Sequence, residues 1–222
     1  MANKTEDIKT VAKKLNMAVY EKDWNSETRK RNFTPRKDLQ TQSEKIVDLE
    51  TAIKGSGLKN GMTISFHHHF RDGDKTVNLV VGKLAEMGYK NLTLAASSLS
   101  DVHTPLIEHI KNGVITQIQT SGLRGELAEA ISHGLMDKPV IFRSHGGRAA
   151  AIRNGDLHID IAFLGASSCD YLGNANGYSR SGTEKSICGS LGYAKVDADY
   201  ADKVIILTDN MVTYPNVPVS IK

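Results

Sequence analysis

Residues 61–74 read GMTISFHHHFRDGD, a short apolar run that ends in three imidazoles and a cation and then in a glycine-containing turn. After the turn, Val77, Val80, Val81 and Leu84 recur at the spacing of an amphipathic helix. The stretch therefore predicts a strand, a polar loop and a helix. In open α/β sheets, ligands bind at the carboxyl ends of the strands, where a helix N-terminus also offers N–H groups to an anion. Four residues fall at this place and are predicted to contact an anionic ligand: His67, His68, His69 and Arg71.

Two other interpretations of the histidine triplet remain open. The imidazoles could cover the sheet end as ordinary polar residues, or they could bind a metal. Neighbours on a strand point to opposite faces, so only His67 and His69 could share a metal ion. No cysteine or second histidine pair lies near them at ligand spacing. The sequence therefore predicts an anion site here and no metal.

The composition is that of an ordinary globular protein. The chain has 222 residues, of which 40% are hydrophobic and 24% are charged, and its formal net charge is +3. Its cations are scattered apart from residues 29–31, which argues against nucleic-acid binding. Cys169 and Cys188 lack a zinc or redox spacing, and no apolar run is long enough to span a bilayer. We expect a cytoplasmic protein without a membrane segment.

The chain divides into an arm and a domain. Residues 1–37 are rich in polar side chains and predict a loosely attached arm with one helix over 8–18. Residues 38–222 predict an α/β domain. Its first helix is indicated by a stripe of Ile46, Leu49 and Ile53. A capping box at Thr41 and Glu44 is predicted to begin this helix, and Gly55 and Gly57 are predicted to end it.

Short β-branched runs then alternate with helical stripes, which predicts a mostly parallel open sheet of about six strands with helices on both faces. The predicted strands are 62–66, 92–96, 114–118, 140–142, 159–164 and 204–208, and the predicted helices are 76–87, 105–112, 126–136 and 147–154. Gly88, Gly113, Gly134 and Gly155 fall where these helices should end. Residues 167–192 are crowded with glycine and predict a long functional or mobile loop or hairpin.

A second candidate site follows a predicted strand at residues 142–148, which read FRSHGGR. Arg143 and Arg148 could grip carboxylates in a forked geometry. The amides of Gly146 and Gly147 could hold a carboxylate or a developing oxyanion at a helix start. A plain tight turn explains the paired glycines about as well, because they lack the spacing of a phosphate-binding loop.

Two further segments favour structural roles. Residues 97–103 place serines near His103, but without the elbow motif of a hydrolase, and hydroxyls there are typical of turn and helix caps. Residues 170–178 read DYLGNANGY, which by itself predicts a hairpin built on glycine and asparagine.

Taken together, the chain from about Thr41 onward resembles the citrate lyase alpha chain family and, more distantly, one half of a coenzyme A transferase. Five stretches carry the resemblance: GMTISFHHHFR at 61–71, VIFRSHGGR at 140–148, GDLHID at 155–160, GNANGY at 173–178 and CGSLGY at 188–193. The resemblance implies a coenzyme A transferase-like domain.

The resemblance also implies an activity, the exchange of an acetyl group on an acyl-carrier-protein thioester for citrate, which gives citryl-carrier and acetate. Citrate would be held by the histidines and arginines of the two candidate sites, including His145. The thioester arm, of coenzyme A type, would be a substrate and not a covalently bound cofactor. A groove for it would come from the 167–192 segment, with Gly173, Asn174, Asn176 and Gly177 as candidate contacts. Implied partners are the citrate lyase beta chain and the acyl carrier protein, or gamma chain, in an oligomer.

The resemblance leaves the catalytic residue unassigned. The related transferases bring a catalytic glutamate from a second domain, which is absent from these residues, and Glu184 matches no glutamate motif. Three alternatives therefore stay open: a coenzyme A transferase half for a small carboxylic acid, a non-catalytic binding or assembly domain, and a sugar-phosphate isomerase on a similar sheet.

Overall fold

The computed structural model describes residues 8–14, 16, 45–67, 74–177 and 192–214. The strands within these ranges are β1 (Thr63–His67), β2 (Leu92–Ala96), β3 (Ile115–Thr120), β4 (Ile141–Phe142), β5 (Ile161–Gly165), β6 (Ser168–Asp170), β7 (Ala175–Asn176), β8 (Lys203–Leu207) and β9 (Met211–Val212). The helices are α1 (Ile8–Lys14), α2 (Leu49–Ser56), α3 (Thr76–Glu86), α4 (Leu106–Lys111), α5 (Gly125–Ser132), α6 (His145–Asn154) and α7 (Ala194–Tyr200), with a 3₁₀ turn at Asp101–His103.

Six strands form one sheet in the order β4-β3-β2-β1-β5-β8, and every pair of neighbours is parallel. The chain moves outward from β1 to β4 and then returns to the other side of β1 with β5. The connections that leave β1 and β5 therefore diverge, which makes their carboxyl ends a topological switch point. The predicted parallel open sheet is confirmed.

Alternation along β1 sends its side chains to two different cores. Ile64 and Phe66 enter the larger core, where Phe66 stacks on Phe163 with ring centroids 5.4 Å apart. Helices α2 to α5 cover this face through buried residues such as Ile53 and Leu84. On the opposite face, α6 and α7 enclose a smaller apolar cluster that includes Ile152 and Tyr200. Helices thus pack on both faces, as predicted.

The four glycines predicted at helix ends all have left-handed backbones, with φ of 84° at Gly88, 70° at Gly113, 92° at Gly134 and 84° at Gly155. This conformation is cheap only without a Cβ, and it ends α3, α4, α5 and α6.

Helices α1 and α2 differ from prediction at their boundaries. At α2, Asp48 is the N-cap and accepts hydrogen bonds from both Thr51 N–H, at 2.8 Å, and the Thr51 hydroxyl. Ile46 consequently lies before the helix and is 54% exposed. Gly57 ends α2 with φ of 77°, whereas Gly55 lies within it. Helix α1 ends at Lys14 instead of residue 18. The predicted capping box at Thr41 and Glu44 lies outside the described residues.

A small second sheet follows the carboxyl ends of two main strands. Strand β6 continues from β5, forms an antiparallel hairpin with β7, and pairs in parallel with β9, which follows β8. The predicted hairpin is confirmed for residues 168–176, and residues 178–191 lie outside the described part of the chain. No helix in the described ranges combines the length and apolar character needed to cross a bilayer.

Candidate functional site

The candidate site begins at the carboxyl end of β1. Ser65 and His67 project from the face of the strand opposite to Ile64 and Phe66, and both are buried. They enter the layer between the sheet and helices α6 and α7. Polar side chains in such a place need partners, because an unpaired buried polar group is costly.

Those partners come from an ion pair between α6 and α7. Arg148 donates from Nη1 to Oδ2 of Asp197 at 2.8 Å and from Nη2 to Oδ1 at 2.6 Å. The two side chains are 3% and 0% exposed. Such a forked pair is strong and geometrically specific, so it fixes α6 against α7 over the sheet end.

Ser65 and a strand carbonyl complete the surroundings of the guanidinium. The Ser65 hydroxyl accepts from Nη2 of Arg148 at 2.9 Å and itself donates to Asp197. Nη2 also donates to the carbonyl of Ala95 at 3.2 Å. The Nε of Arg148 is buried without a hydrogen-bond partner among the described residues. The geometry therefore revises the predicted role of Arg148: its fork grips a carboxylate, but one that belongs to this chain.

His67 joins this network through Nδ1, which lies 3.1 Å from Oδ2 of Asp197 and 3.3 Å from Nη1 of Arg148. Burial alone would raise the pKa of Asp197, but the hydrogen bonds from Arg148 and His67 and the positive charge of Arg148 outweigh it. The pKa of this carboxyl therefore lies well below its usual range. An ionised carboxylate only accepts, so we assign a proton to Nδ1 of His67. Asp197 thus fixes the tautomer and the orientation of the imidazole, as the orienting carboxylate does in acid–base pairs.

His145, at the first position of α6, lies over His67. The two ring centroids are 5.6 Å apart and the rings meet edge to face, while the ring of Tyr193 lies 4.9 Å from His145 on another side. Desolvation lowers the pKa of His145 from its ordinary value, and repulsion from His67 and Arg148 lowers it further. The structure therefore brings three predicted residues together: His67, His145 and Arg148.

The glycines after His145 lie inside the first turn of α6, because the helix begins two residues earlier than predicted. Ser144 is its N-cap, and its hydroxyl accepts the N–H of Gly147 at 3.0 Å. That N–H was predicted to hold a carboxylate or oxyanion, so its use by the cap differs from the expectation. A Cβ built on Gly147 would lie 2.9 Å from the Ser144 hydroxyl, which explains why a glycine stands there.

Arg143 lies at the neighbouring strand ends and is half-buried. Its Nη1 donates to the side-chain oxygen of Gln119 on β3, and its backbone N–H donates to the carbonyl of Thr120 at 3.0 Å. The carboxyl ends of β3 and β4 thus hold a guanidinium on the same edge of the sheet as His67. Whether it contacts a ligand stays a prediction.

The asparagines predicted to contact a thioester are used within their own hairpin. Asn174 donates from its side chain to Asp170 at 2.8 Å, and Asp170 also accepts the N–H of Asn174 and of Leu172. The side-chain oxygen of Asn176 accepts from the Ser168 hydroxyl at 2.8 Å. Gly173 has φ of 81°, as the tight turn requires. Gly177 is buried at the end of the hairpin. Contacts with a thioester stay a prediction for all four positions.

Three predicted ligand residues, His68, His69 and Arg71, lie outside the described residues, as does Glu184. The serine-histidine pair at 97–103 serves a turn: the ring Nδ1 of His103 accepts the backbone N–H of Ser100 at 2.9 Å. This supports the capping interpretation of that segment.

Sequence reasoning missed Ser65 and Asp197. Ser65 had a usable signal, because it stands two residues before His67 and therefore on the same face of the strand. Asp197 had a weaker one. Ala194, Asp197 and Tyr200 recur every three residues and form the buried side of α7. The charged residues between them obscure this pattern in the sequence, and no helix was predicted there.

Comparison with known proteins gives one family. The family model described as "Citrate lyase, alpha subunit (CitF)" matches residues 43–222. The citrate lyase alpha chain of Haemophilus influenzae is 64% identical over 173 residues, which cover 78% of this chain and 34% of that protein. The citrate lyase alpha chain of Klebsiella pneumoniae is 64% identical over 185 residues, covering 83% and 36%. The chain thus spans about a third of the length of these relatives.

Among solved structures, a citrate lyase alpha subunit from Streptococcus mutans, crystallised in complex with citrate, matches with a TM-score of 0.80. It is 50% identical, and the match covers 92% of this chain and 39% of that one. A malonate decarboxylase alpha subunit from Acinetobacter baumannii matches with a TM-score of 0.51 at 11% identity, over 75% of this chain and 29% of that one, and shows likeness of fold alone.

Proposed function

The chain belongs to the citrate lyase alpha subunit family, and on that premise we propose that it serves the transferase step of citrate cleavage. In this step citrate replaces the acetyl group on an acyl-carrier-protein thioester, which gives citryl-carrier and acetate. The observation that carries the proposal is the position of His67, held by Asp197 at the switch point of the sheet. Ligands of open α/β sheets bind at this place.

The chemistry asks the site to hold a multiply charged anion beside a thioester. A citrate carboxylate attacks the acetyl thioester carbonyl, forms an acetyl-citryl anhydride and releases the thiolate. The thiolate then attacks the citryl carbonyl, which forms citryl thioester and releases acetate. Both steps place negative charge on a carbonyl oxygen, so cations and N–H donors in the site lower the barriers.

The described residues divide these tasks. Arg148 and Asp197 compensate each other's charge, so we assign them a positioning role: they hold His67 and fix α6 against the sheet. Arg143 and His145 are the more exposed groups of the cluster, and we assign them to citrate carboxylates. Arg71, His68 and His69 are proposed to add positive charge from the segment that follows β1. We leave the catalytic group unassigned.

The thioester arm is proposed to approach along the small sheet that follows β5 and β8, where Gly173 and Gly177 leave the backbone without side chains. The partners proposed for the step are the acyl carrier protein, or gamma chain, and the lyase beta chain, in a cytoplasmic oligomer. Acetyl-coenzyme A is the simplest stand-in for the carrier thioester.

The test is a calorimetric titration of the purified chain with citrate and, separately, with acetyl-coenzyme A. An acetate-release assay follows on the same sample, with acetyl-carrier protein or acetyl-coenzyme A as the thioester and with citrate or another small carboxylic acid as the acceptor. We expect saturable citrate binding. Turnover with carrier-bound acetyl groups would support the transferase, and turnover only with free coenzyme A thioesters and another small acid would favour a general coenzyme A transferase half. Binding without turnover would favour the non-catalytic domain, and no citrate binding would contradict the proposal.

A further inference from the structure

The matched stretch GDLHID, residues 155–160, takes no part in the site described above. Leu157 and Ile159 are buried in the smaller core, so the alternation turns His158 and Asp160 outward. These residues precede β5, and Asp202 precedes the neighbouring strand β8, with Ile161 paired to Lys203 at the start of both. The three side chains therefore meet at the amino ends of the strands, at the opposite edge of the sheet from His67.

From this arrangement we propose that His158, Asp160 and Asp202 bind a divalent transition-metal ion of the Zn²⁺ type. Nε2 of His158 lies 2.9 Å from Oδ2 of Asp202 and 3.4 Å from Oδ1 of Asp160. One donor atom from each residue lies within 4.8 Å of the others. With metal–ligand bonds of about 2.0 to 2.2 Å, adjacent ligands of one ion lie about 3.0 to 3.5 Å apart. The two distances from Nε2 of His158 are thus close to the spacing of adjacent ligands on one ion.

The site is also held in place from outside. Oδ2 of Asp160 accepts the backbone N–H of Thr63 at 2.8 Å, which turns Oδ1 toward His158. Backbone bonds from Asp160 to Thr63, from Lys203 to Asp160 and from Asp202 to Ile159 fix the three loops to one another. Ligands oriented by partners of this kind bind metals more tightly.

The donor set selects the class of ion. One imidazole nitrogen and two carboxylate oxygens suit Zn²⁺ and its first-row neighbours, whereas Mg²⁺ and Ca²⁺ favour sites built from oxygen alone. The side chains of His158, Asp160 and Asp202 are 41%, 17% and 45% exposed, which leaves room for water in the remaining coordination positions. The ion would join the segments before β5 and β8 and so stabilise this edge of the sheet.

An ion pair offers the competing explanation, in which an Nε2 proton of His158 serves both carboxylates and no metal is needed. Exposed pairs of that kind contribute little stability. The two explanations differ in one measurable respect: only a metal site gives saturable binding of Zn²⁺ that depends on these three residues.

The experiment is a calorimetric titration of the chelator-treated chain with zinc chloride, in a buffer free of citrate because citrate itself chelates zinc. We expect one site per chain and an upward shift of Tm with zinc, since a ligand that binds the folded state stabilises it. His158→Ala and Asp202→Asn should each weaken binding about tenfold or more. His133→Ala, which removes the exposed histidine at the C-cap of α5, is the matched control and should leave binding unchanged.

Three further readouts keep the result unambiguous. Circular dichroism shows whether each variant is folded, and Asp202→Asn, which changes an exposed side chain, serves if His158→Ala does not fold. Visible absorption of the Co²⁺-loaded chain should change in His158→Ala and not in His133→Ala. Magnesium chloride at the same concentrations should give no saturable heat.

Absence of saturable zinc binding, or unchanged zinc affinity in folded His158→Ala and Asp202→Asn, would overturn the proposal. Because the measurement uses neither citrate nor a thioester, it stands or falls apart from the transferase proposal.

Discussion

Arg148 and Asp197 form a buried, two-pronged ion pair that joins α6 to α7 across the carboxyl end of the sheet. Ser65 and His67 of β1 both bond to Asp197, so one carboxylate receives a hydroxyl, an imidazole and a guanidinium. A carboxylate with this many donors is tightly constrained. The proposed citrate site therefore rests on a rigid polar layer beneath His67 and His145.

The first prediction concerns the stability of this layer. Replacement Asp197→Asn leaves the Arg148 charge buried without its counter-charge, and breaking a buried pair in this way costs about 3 to 5 kcal/mol. The matched control is Asp199→Asn on the same helix, where the carboxylate pairs with an exposed Lys195. That change should cost less than about 1 kcal/mol. Urea unfolding at pH 7 measures both losses, and equal losses would contradict the central place given to Asp197.

The fold could be predicted from the sequence because its signals are local. β-branched runs marked the six strands of the main sheet, and glycines marked four helix ends where a left-handed backbone is required. His67 and His145 were predicted in two separate candidate sites, and the resemblance to the citrate lyase alpha chain family joined the two as contacts of one citrate. The strand and helix predictions need only periodicity and the turn chemistry of glycine.

The role of Arg148 could not be predicted in this way, because it depends on a partner far along the chain. A guanidinium after a strand is equally consistent with a free ligand site and with a buried pair. The choice rests on Asp197, in a seven-residue helix where Lys195, Asp197 and Asp199 together look like a solvated segment. Arg148 forms a buried pair because the helix face that carries Asp197 is buried. That burial depends on tertiary packing, which the local sequence does not show.

The second prediction concerns the two adjacent glycines of α6. A Cβ at Gly146 would meet the Tyr193 hydroxyl at an ordinary 3.7 Å, whereas one at Gly147 would lie 2.9 Å from the Ser144 hydroxyl. Gly146→Ala should stabilise the chain by roughly 0.5 to 1 kcal/mol through helix propensity. Gly147→Ala must displace the N-cap, which costs roughly 0.5 to 2 kcal/mol. The two variants should therefore differ in their free energy of unfolding by about 1 kcal/mol or more.

The same pair in a Ser144→Ala background provides the control for this prediction. Without the cap hydroxyl there is nothing to displace, so the difference between Gly146→Ala and Gly147→Ala should shrink. Thermal or urea unfolding of the five variants completes a double-mutant cycle. If the two glycine variants still differ in their free energy of unfolding in the Ser144→Ala background, displacement of the N-cap is not the cause of the difference.

The third prediction concerns the protonation of His145. Desolvation and the neighbouring His67 and Arg148 lower the pKa of this imidazole below 6.5 in the free protein. If a citrate carboxylate contacts His145, the anion favours the charged imidazole and raises its pKa. By linkage, citrate affinity should then fall as pH rises through the pKa of His145 in the complex.

Nuclear magnetic resonance of the histidine rings measures the His145 pKa with and without citrate, with His145→Gln used to assign its signals. Sodium chloride at matched ionic strength is the control, since simple screening acts without a bound carboxylate. An upward move with citrate and none with chloride is the expected outcome. A pKa that citrate leaves where it was would remove His145 from the proposed citrate contacts.

The last prediction separates the two arginines of the second candidate site. Arg143→Ala should weaken citrate binding by about 1.5 to 3 kcal/mol, the size of a lost charge-assisted hydrogen bond, while the free energy of unfolding changes little. Arg153→Ala, in the exposed last turn of α6, removes the same charge at a position with no proposed ligand contact and should leave citrate affinity unchanged. Arg148→Ala, by contrast, should show its main effect in unfolding, because it orphans Asp197. Calorimetric citrate titrations beside urea unfolding of all three variants give both quantities. If Arg153→Ala weakens citrate binding as much as Arg143→Ala does, the effect comes from net charge alone. If Arg143→Ala leaves citrate affinity unchanged, the Arg143 guanidinium does not contact citrate.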